Sequence, residues 1–155
     1  AEDYGLQTAV TPKQRLFNTT LGRLYFFDGA GTGHFRLIHE SKTMHGEKGQ
    51  QKSKVKIFEY VPGALIKIRT GPDQKVGGLL NMTSNQGRPF IYVNEAKANA
   101  DSFEIRVPYS TENRYGCHAI NPYLIFSGNK DAVKMKNLNV SEEDVIKGRT
   151  IELTF

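Results

Sequence analysis

Between Lys54 and Thr70 the chain reads KVKIFEYVPGALIKIRT, two runs of alternating polar and apolar positions set back to back. In the first, Lys54, Val55, Lys56 and Ile57 alternate before the run turns aromatic at Phe58 and Tyr60. In the second, Ile66 and Ile68 fall on one side, Lys67 and Arg69 on the other. A period of two marks a strand with one buried face and one wet face. Pro62-Gly63 separates the runs. Proline lacks an amide donor and fixes φ, and glycine accepts positive φ, so the ladder is expected to break and turn there. That point divides the expected organisation. Residues 1–62 form a lead-in segment of helix, loop and strand packed on the β-domain, and 63–155 form a β-sandwich or barrel.

Upstream, Leu16, Phe17, Leu21, Leu24 and Tyr25 recur at helical spacing. Thr11-Pro12 supplies a capping hydroxyl and a first-turn proline, with Gln14 three residues past the cap, so the spacing predicts one helix over Pro12–Phe27. Gly22 weakens it by about 1 kcal/mol relative to alanine. Asp28-Gly29-Ala30-Gly31-Thr32-Gly33 stops it. His34–His39 reads as a short strand. Glu40–Ser53, whose only large apolar side chain is Met44, reads as an exposed loop.

Downstream, turn signals arrive about every eight to twelve residues, the spacing of a sandwich or barrel. Gly71-Pro72-Asp73 reads as a turn. Val76–Thr83 is a strand in which Gly77-Gly78 implies a bulge or a close approach. Ser84-Asn85-Gln86-Gly87 is a hairpin turn and Pro89–Val93 its returning strand. Asn94–Ala100 reads as a linker with room for one helical turn, and Ser102–Val107 as a strand. Pro108–Arg114 is a polar loop, followed by strands over Tyr115–Ile120, Pro122–Ser127 and Ala132–Lys136. Ser141 opens a short helix with acids in its first turn, where the helix dipole favours them. Gly148 closes it, and Arg149–Phe155 is a last alternating strand. The expected fold is therefore mainly β: an antiparallel β-sandwich or barrel-like domain with an N-terminal helix and a short C-terminal helix.

Composition agrees with many short strands. The 155 residues include 15 glycines and 6 prolines, and the hydrophobic fraction of 38% implies a thin core. A net charge of +5 suits a solvated basic surface. The cations are spread along the chain, with one loose cluster at Lys48, Lys52, Lys54 and Lys56, so a nucleic-acid-binding barrel would rest on charge alone. Cys117 is the one cysteine, which excludes an intramolecular disulfide and reads as a buried small hydrophobe. No run reaches the roughly 18–20 apolar residues of a membrane helix. The start, AEDYGLQ, has no signal-peptide pattern and no Met, and the expectation is a mature product or an excised fragment.

Residue types that suggest chemistry are scattered. His34, His39, Glu40 and His45 fit no familiar zinc spacing. The Gly29–Gly33 loop lacks the strand before it and the Gly-Lys-Ser/Thr after it that phosphate binding needs. Ser110, His118, Asp101 and Glu112 are triad residue types without a nucleophile elbow, and neighbouring Cys117 and His118 would point apart in a strand. Asp3-Tyr4-Gly5 matches the end of a glycosyltransferase signature but follows Ala1-Glu2, not a tryptophan pair, and the chain contains no Trp. No residue is thus expected to be catalytic, cofactor-binding or metal-binding. Three N-x-S/T sequons make Asn18, Asn81 and Asn139 candidate glycosylation sites. Tyr60, Tyr92, Tyr109, Tyr115 and Tyr123 would supply stacking faces if the domain were an independent carbohydrate- or surface-binding module.

The motif series carries a resemblance. Arg23–Gly29 (RLYFFDG), His34–Ser41 (HFRLIHES) and Val55–Ala64 (VKIFEYVPGA), in that order, resemble the C-terminal region of the long-form archaeal oligosaccharyltransferase AglB family. Thr83–Phe90 (TSNQGRPF) and Val107–Glu112 (VPYSTE) resemble that family's first peripheral β-domain. The likeness covers about Leu16 to Tyr123. It implies a parent enzyme that transfers a dolichol-linked oligosaccharide to Asn in the sequon outside the cell. The divalent metal is expected in the parent's membrane part, and the tryptophan-rich sequon-binding motif in its central core. For this chain the resemblance implies an accessory, non-catalytic domain at the extracellular face, without membrane insertion or nucleic-acid binding. Its expected partners are the catalytic core and membrane domain of the same polypeptide, and an acceptor protein or glycan.

Overall fold

The computed structural model describes residues 14–48, 51–71, 74–99 and 102–155. In chain order the elements are α1 Gln14–Phe17, α2 Thr20–Phe27, β1 Phe35–Glu40, β2 Met44–His45, β3 Lys52–Ser53, β4 Lys56–Tyr60, β5 Ala64–Arg69, β6 Lys75–Thr83, β7 Pro89–Glu95, β8 Lys97–Asn99, β9 Ser102–Val107, β10 His118–Ala119, β11 Tyr123–Gly128, β12 Val133–Leu138, α3 Glu142–Lys147 and β13 Thr150–Thr154. The fold is mainly β, as the pattern predicted.

Two sheets face each other. One has five strands: β10-β6-β11-β12, with β7 also paired to β6. The other runs β13-β5-β9-β8. Their inner faces meet around Ile66, Ile68, Leu80, Met82, Ile105, Tyr123 and Ile125, all buried. A Cβ added to Gly78 would lie 3.0 Å from Ile125 Cδ1 and 3.8 Å from Ile105 Cδ1, so glycine there admits both sheets to close contact. The β6–β7 register is unbroken from Gly77 to Thr83, so the glycine pair marks a close approach and not a bulge. Among the described residues every strand pairing is antiparallel except β13 on β5, which is parallel. The connection to β13 passes through α3. Ser141 and Asp144 form a capping box at its start, and Gly148 closes it in the left-handed region at φ 63°.

Several expectations are corrected. Of the predicted helix, Thr11 to Lys13 lie outside the described residues, and the remainder is two helices. Thr19 adopts an extended conformation and its hydroxyl accepts from Gly22 N, capping α2. A threonine hydroxyl that binds nearby backbone competes with helix continuation. A Cβ on Gly22 would fall 2.0 Å from Leu16 O, so the α1–α2 turn needs glycine there. Glu40–Ser53 is not simply an exposed loop: β2 and β3 pair within it, and Glu40 is buried at the end of β1. The expected 94–100 linker is strand on both sides of Ala96, with Ala100 outside the described residues. The chain leaves β6 along β7, donates from Ala96 N to Val76 O, and joins β9 as β8. Ladder bonds to two partners override the local helical preference. Of the strand expected over Tyr115–Ile120, only His118–Ala119 pairs, with Met82 and Thr83. The Arg114 guanidinium ties off the rest through Thr111 O and Ala119 O. The turn at Gly71-Pro72-Asp73 extends into residues outside those described.

Candidate functional site

The most highly organised polar site lies where β1 ends against the turn between β6 and β7. The turn is closed by Ser84 N donating to Arg88 O at 2.9 Å and Gly87 N to Ser84 O at 2.9 Å. Asn85 acts as a piece of backbone: its Oδ1 accepts from Glu40 N at 2.8 Å and its Nδ2 donates to Glu40 O at 3.1 Å. Glu40 is thereby held with its carboxylate inside. The register of β1 against β4 shifts between Leu37 and His39, and this irregularity lets Leu37 and Glu40 both face inward.

Arg88 fills the space between two acids. Its Nε and Nη2 donate to Glu40 at 3.0 and 2.7 Å, and its Nη1 and Nη2 to Asp28 at 3.0 and 2.9 Å. Lys56 Nζ donates to Asp28 Oδ1 at 2.6 Å and to Tyr25 O at 2.8 Å. Ser84 Oγ donates to Glu40 Oε1 at 2.5 Å. Two carboxylates thus meet two cations in a closed, neutral set. Planar guanidinium geometry suits the double fork, which a lysine would not reproduce. Burial raises the Glu40 pKa, but hydrogen bonds from Arg88 and Ser84 outweigh it and hold the carboxyl below its ordinary value of 4.5. Arg88 is raised: burial lowers it, and Glu40 and Asp28 more than compensate.

A carboxyl so held is no proton donor near neutral pH, and the site's donors are spent on each other. Its role is to join α2, β1 and β4 to the β6–β7 hairpin. Because Glu40 titrates lower in the folded chain than in the unfolded one, its contribution is present above about pH 4.5 and is lost as pH falls through the depressed value. Thermal midpoints should therefore drop between about pH 5 and about pH 3 more steeply in the wild type than in Glu40→Gln. Parallel profiles would remove Glu40 from the account.

The other sequence candidates do not assemble. His34 stacks on Tyr60, His39 Nδ1 meets Asn85, and His45 meets Tyr25. Among the described residues no group of three His, Cys, Asp or Glu side chains is placed to hold a metal. Ser110, Cys117 and His118 line one pocket of about 200 Å³. Ser110 Oγ is buried there without a hydrogen-bond partner among the described residues. His118 Nδ1 donates to Gly116 O at 3.0 Å, and Glu112 accepts from Glu142 N. Asp101 and Asp3-Tyr4-Gly5 lie outside the described residues. Cys117 is buried, and burial pushes its thiol up. Of the five tyrosines, Tyr92, Tyr109 and Tyr123 are core residues. Tyr109 OH accepts from Leu37 N at 2.7 Å, and Tyr123 OH donates to Tyr109 O at 3.0 Å. Tyr60 and Tyr115 are exposed. Asn18 is exposed between α1 and α2, Asn81 is half-buried in β6, and Asn139 is exposed before α3, where the hydroxyl of its sequon's Ser141 caps the helix. No helix among the described residues is long and apolar enough to cross a membrane.

Sequence reasoning passed over Arg88 and placed Glu40 in a loop. The signal available was the TSNQGRPF motif itself, a turn with more hydrogen-bonding side chains than a hairpin requires.

Comparison with known proteins locates this architecture. The chain is 22% identical, over 92% of its length, to dolichyl-phosphooligosaccharide-protein glycotransferase 3 of Archaeoglobus fulgidus, and covers 23% of that protein. It superposes on the crystal structure of the A. fulgidus oligosaccharyltransferase tethered with an acceptor peptide containing the NVT sequon. There the TM-score is 0.80 at 21% identity, over 93% of this chain and 24% of that one. The A. fulgidus AglB structure in complex with an inhibitory peptide and a dolichol-phosphate gives a TM-score of 0.78 at 20% identity, over 93% and 23%. The chain therefore spans about a quarter of the length of these relatives and shares their fold over that part. The family model described as Archaeal glycosylation protein B long peripheral domain matches residues 63–151. With more than half of its residues inside that match, and the same fold in the A. fulgidus enzyme, the chain belongs to the archaeal glycosylation protein B family through its long peripheral domain.

Proposed function

We propose that this chain is the accessory, non-catalytic part of an oligosaccharyltransferase at the extracellular face of the membrane. The parent would move an oligosaccharide from a dolichol-linked donor to Asn in the N-x-S/T sequon, with its divalent metal held in the membrane part. The domain would stabilise the catalytic core or help present substrate, and its partner would be the remainder of the same polypeptide.

The observation that carries this reading is the Arg88 clamp. Arg88 lies inside the family-matched domain, whereas Asp28, Glu40 and Lys56 lie in the segment before it. A peripheral domain that grips the preceding segment through a buried, neutral ion set is built to fix position rather than to react. The test is a transfer assay with a dolichol-linked oligosaccharide donor and an N-x-T peptide. The isolated chain should form no glycopeptide, and the parent carrying Arg88→Ala should lose activity. Product from the isolated chain above background would defeat the proposal.

A further inference from the structure

The two sheets differ on their outer faces. On the four-stranded sheet the outward register runs Glu152↔Lys67↔Glu104↔Lys97, with Arg69 opposite Thr154 nearby. This is the charged, wet face expected of an antiparallel sandwich. The five-stranded sheet does the opposite. Its outward register includes Met135↔Phe126↔Gly77, and a Cβ on Gly77 would fall 2.4 Å from Phe126 Cζ, so the Phe126 ring lies across that glycine. The next row is Asn137↔Leu124↔Leu79↔Val93, and the next pairs Asn81 with Ile91. Met135 is 61% exposed, Ile91 56%, Val133 56% and Val93 40%. The charged side chains in these rows are Glu95, paired with Gly77, and Lys75, in the row of Val133 and Gly128, both at one end of the face. Beyond β7, Ile91 and Val93 also line a groove of about 710 Å³ whose walls mix Phe17 and Phe27 with the charged Arg23, Glu95 and Lys97.

Sheets with apolar side chains on both faces are inner layers, covered on each side. Four strands about 4.8 Å apart, with about five residues of each, make this face on the order of 300 Å². That is within the range of functional apolar patches. It is well short of the roughly 800 Å² per partner of a stable two-chain interface. A tethered segment needs less, because its effective concentration is of millimolar order. The chain covers 23–24% of its relatives, so most of a relative-sized polypeptide lies outside it. We infer that the outer face of the five-stranded sheet is covered, in the parent protein, by an apolar, largely uncharged layer from that remaining polypeptide. This rests on the accessory reading above and names the surface through which the domain meets its partner.

The test uses the whole parent protein with Cys117 and any other reactive cysteine replaced. Ile91→Cys and Met135→Cys are labelled with a maleimide, with Asp131→Cys on the β11–β12 turn as the open control, and Val133→Cys stands in if either variant fails to purify. The face cysteines should react at least about tenfold more slowly than the control in purified protein, and dilution should not change the ratio. Equal rates would overturn the inference. So would protection that disappears on dilution, which assigns the face to a second copy, or protection seen only in bilayers, which assigns it to lipid. Because the readout is labelling and not glycan transfer, an open face leaves the accessory role standing. Transfer by the isolated chain would remove that role without altering the labelling.

Discussion

Arg88→Ala should lower the thermal midpoint of the chain by roughly 6–12 °C. The guanidinium bridges Glu40 and Asp28, whose side chains are 2% and 10% exposed. Removing it leaves Glu40 charged in a buried position with only Ser84 as side-chain donor, since Lys56 reaches Asp28. Breaking a buried pair in this one-sided way costs about 3–5 kcal/mol. The lower end applies because the Arg88 side chain itself is 30% exposed and water reaches one side of it. Arg88→Lys should recover less than half of the loss, as one ammonium cannot make the paired contacts to both acids. Glu40→Leu combined with Arg88→Met should cost less than the two single changes added together, because each single change strands a charge and the pair does not. Differential scanning calorimetry on the five variants (Arg88→Ala, Arg88→Lys, Arg88→Met, Glu40→Leu and the double) reads all of this. A midpoint for Arg88→Ala within about 2 °C of wild type would mean that the network does not join the two parts of the chain.

Gly63→Ala should destabilise by about 2–3 kcal/mol or more, through backbone and not side-chain chemistry. Gly63 has φ 73°, where an L side chain is strained, and a Cβ there would lie 2.6 Å from Gly33 O and 3.1 Å from Val107 O. The Val107 carbonyl is not free to retreat. Val107 ends β9 against Ala64, and Gly63 itself donates to Val145 O in α3. Arg106 also donates to Gly63 O at 2.8 Å, so the junction is held from both sides. The strain and the clash add, and the change should be seen as a shift in the urea midpoint with an unchanged slope. Gly71→Ala is the control: nothing lies within 4 Å of a Cβ there, and it should be neutral to within about 0.5 kcal/mol. Equal midpoints for the two variants would show that the hinge tolerates an ordinary residue.

Gly63 is also where sequence reasoning was at its strongest. Proline and glycine between two period-two runs have few conformational readings, and β4 and β5 flank the pair as expected. Ser141 and Gly148 likewise delimit α3 from capping chemistry alone. The family signal was legible for a similar reason, since RLYFFDG, HFRLIHES and TSNQGRPF are local strings. Their meaning was not local. Glu40 and Arg88 meet across 48 residues, and Glu40 faces inward only because β1 is irregular after Leu37. A parity argument assumes an unbroken pleat, and a one-residue shift reverses it.

The chain's own pattern therefore determined the class of fold, the Pro62-Gly63 break between β4 and β5 and the caps of α3, because these depend on φ preferences and on alternation within a few residues. Tertiary structure alone decided that 94–95 and 97–99 are strand, that three tyrosines belong to the core, and that four charges close on one another. It also decided that one sheet turns an apolar face outward. Each of these is set by which strands become neighbours, and in a sheet neighbours come from distant parts of the chain.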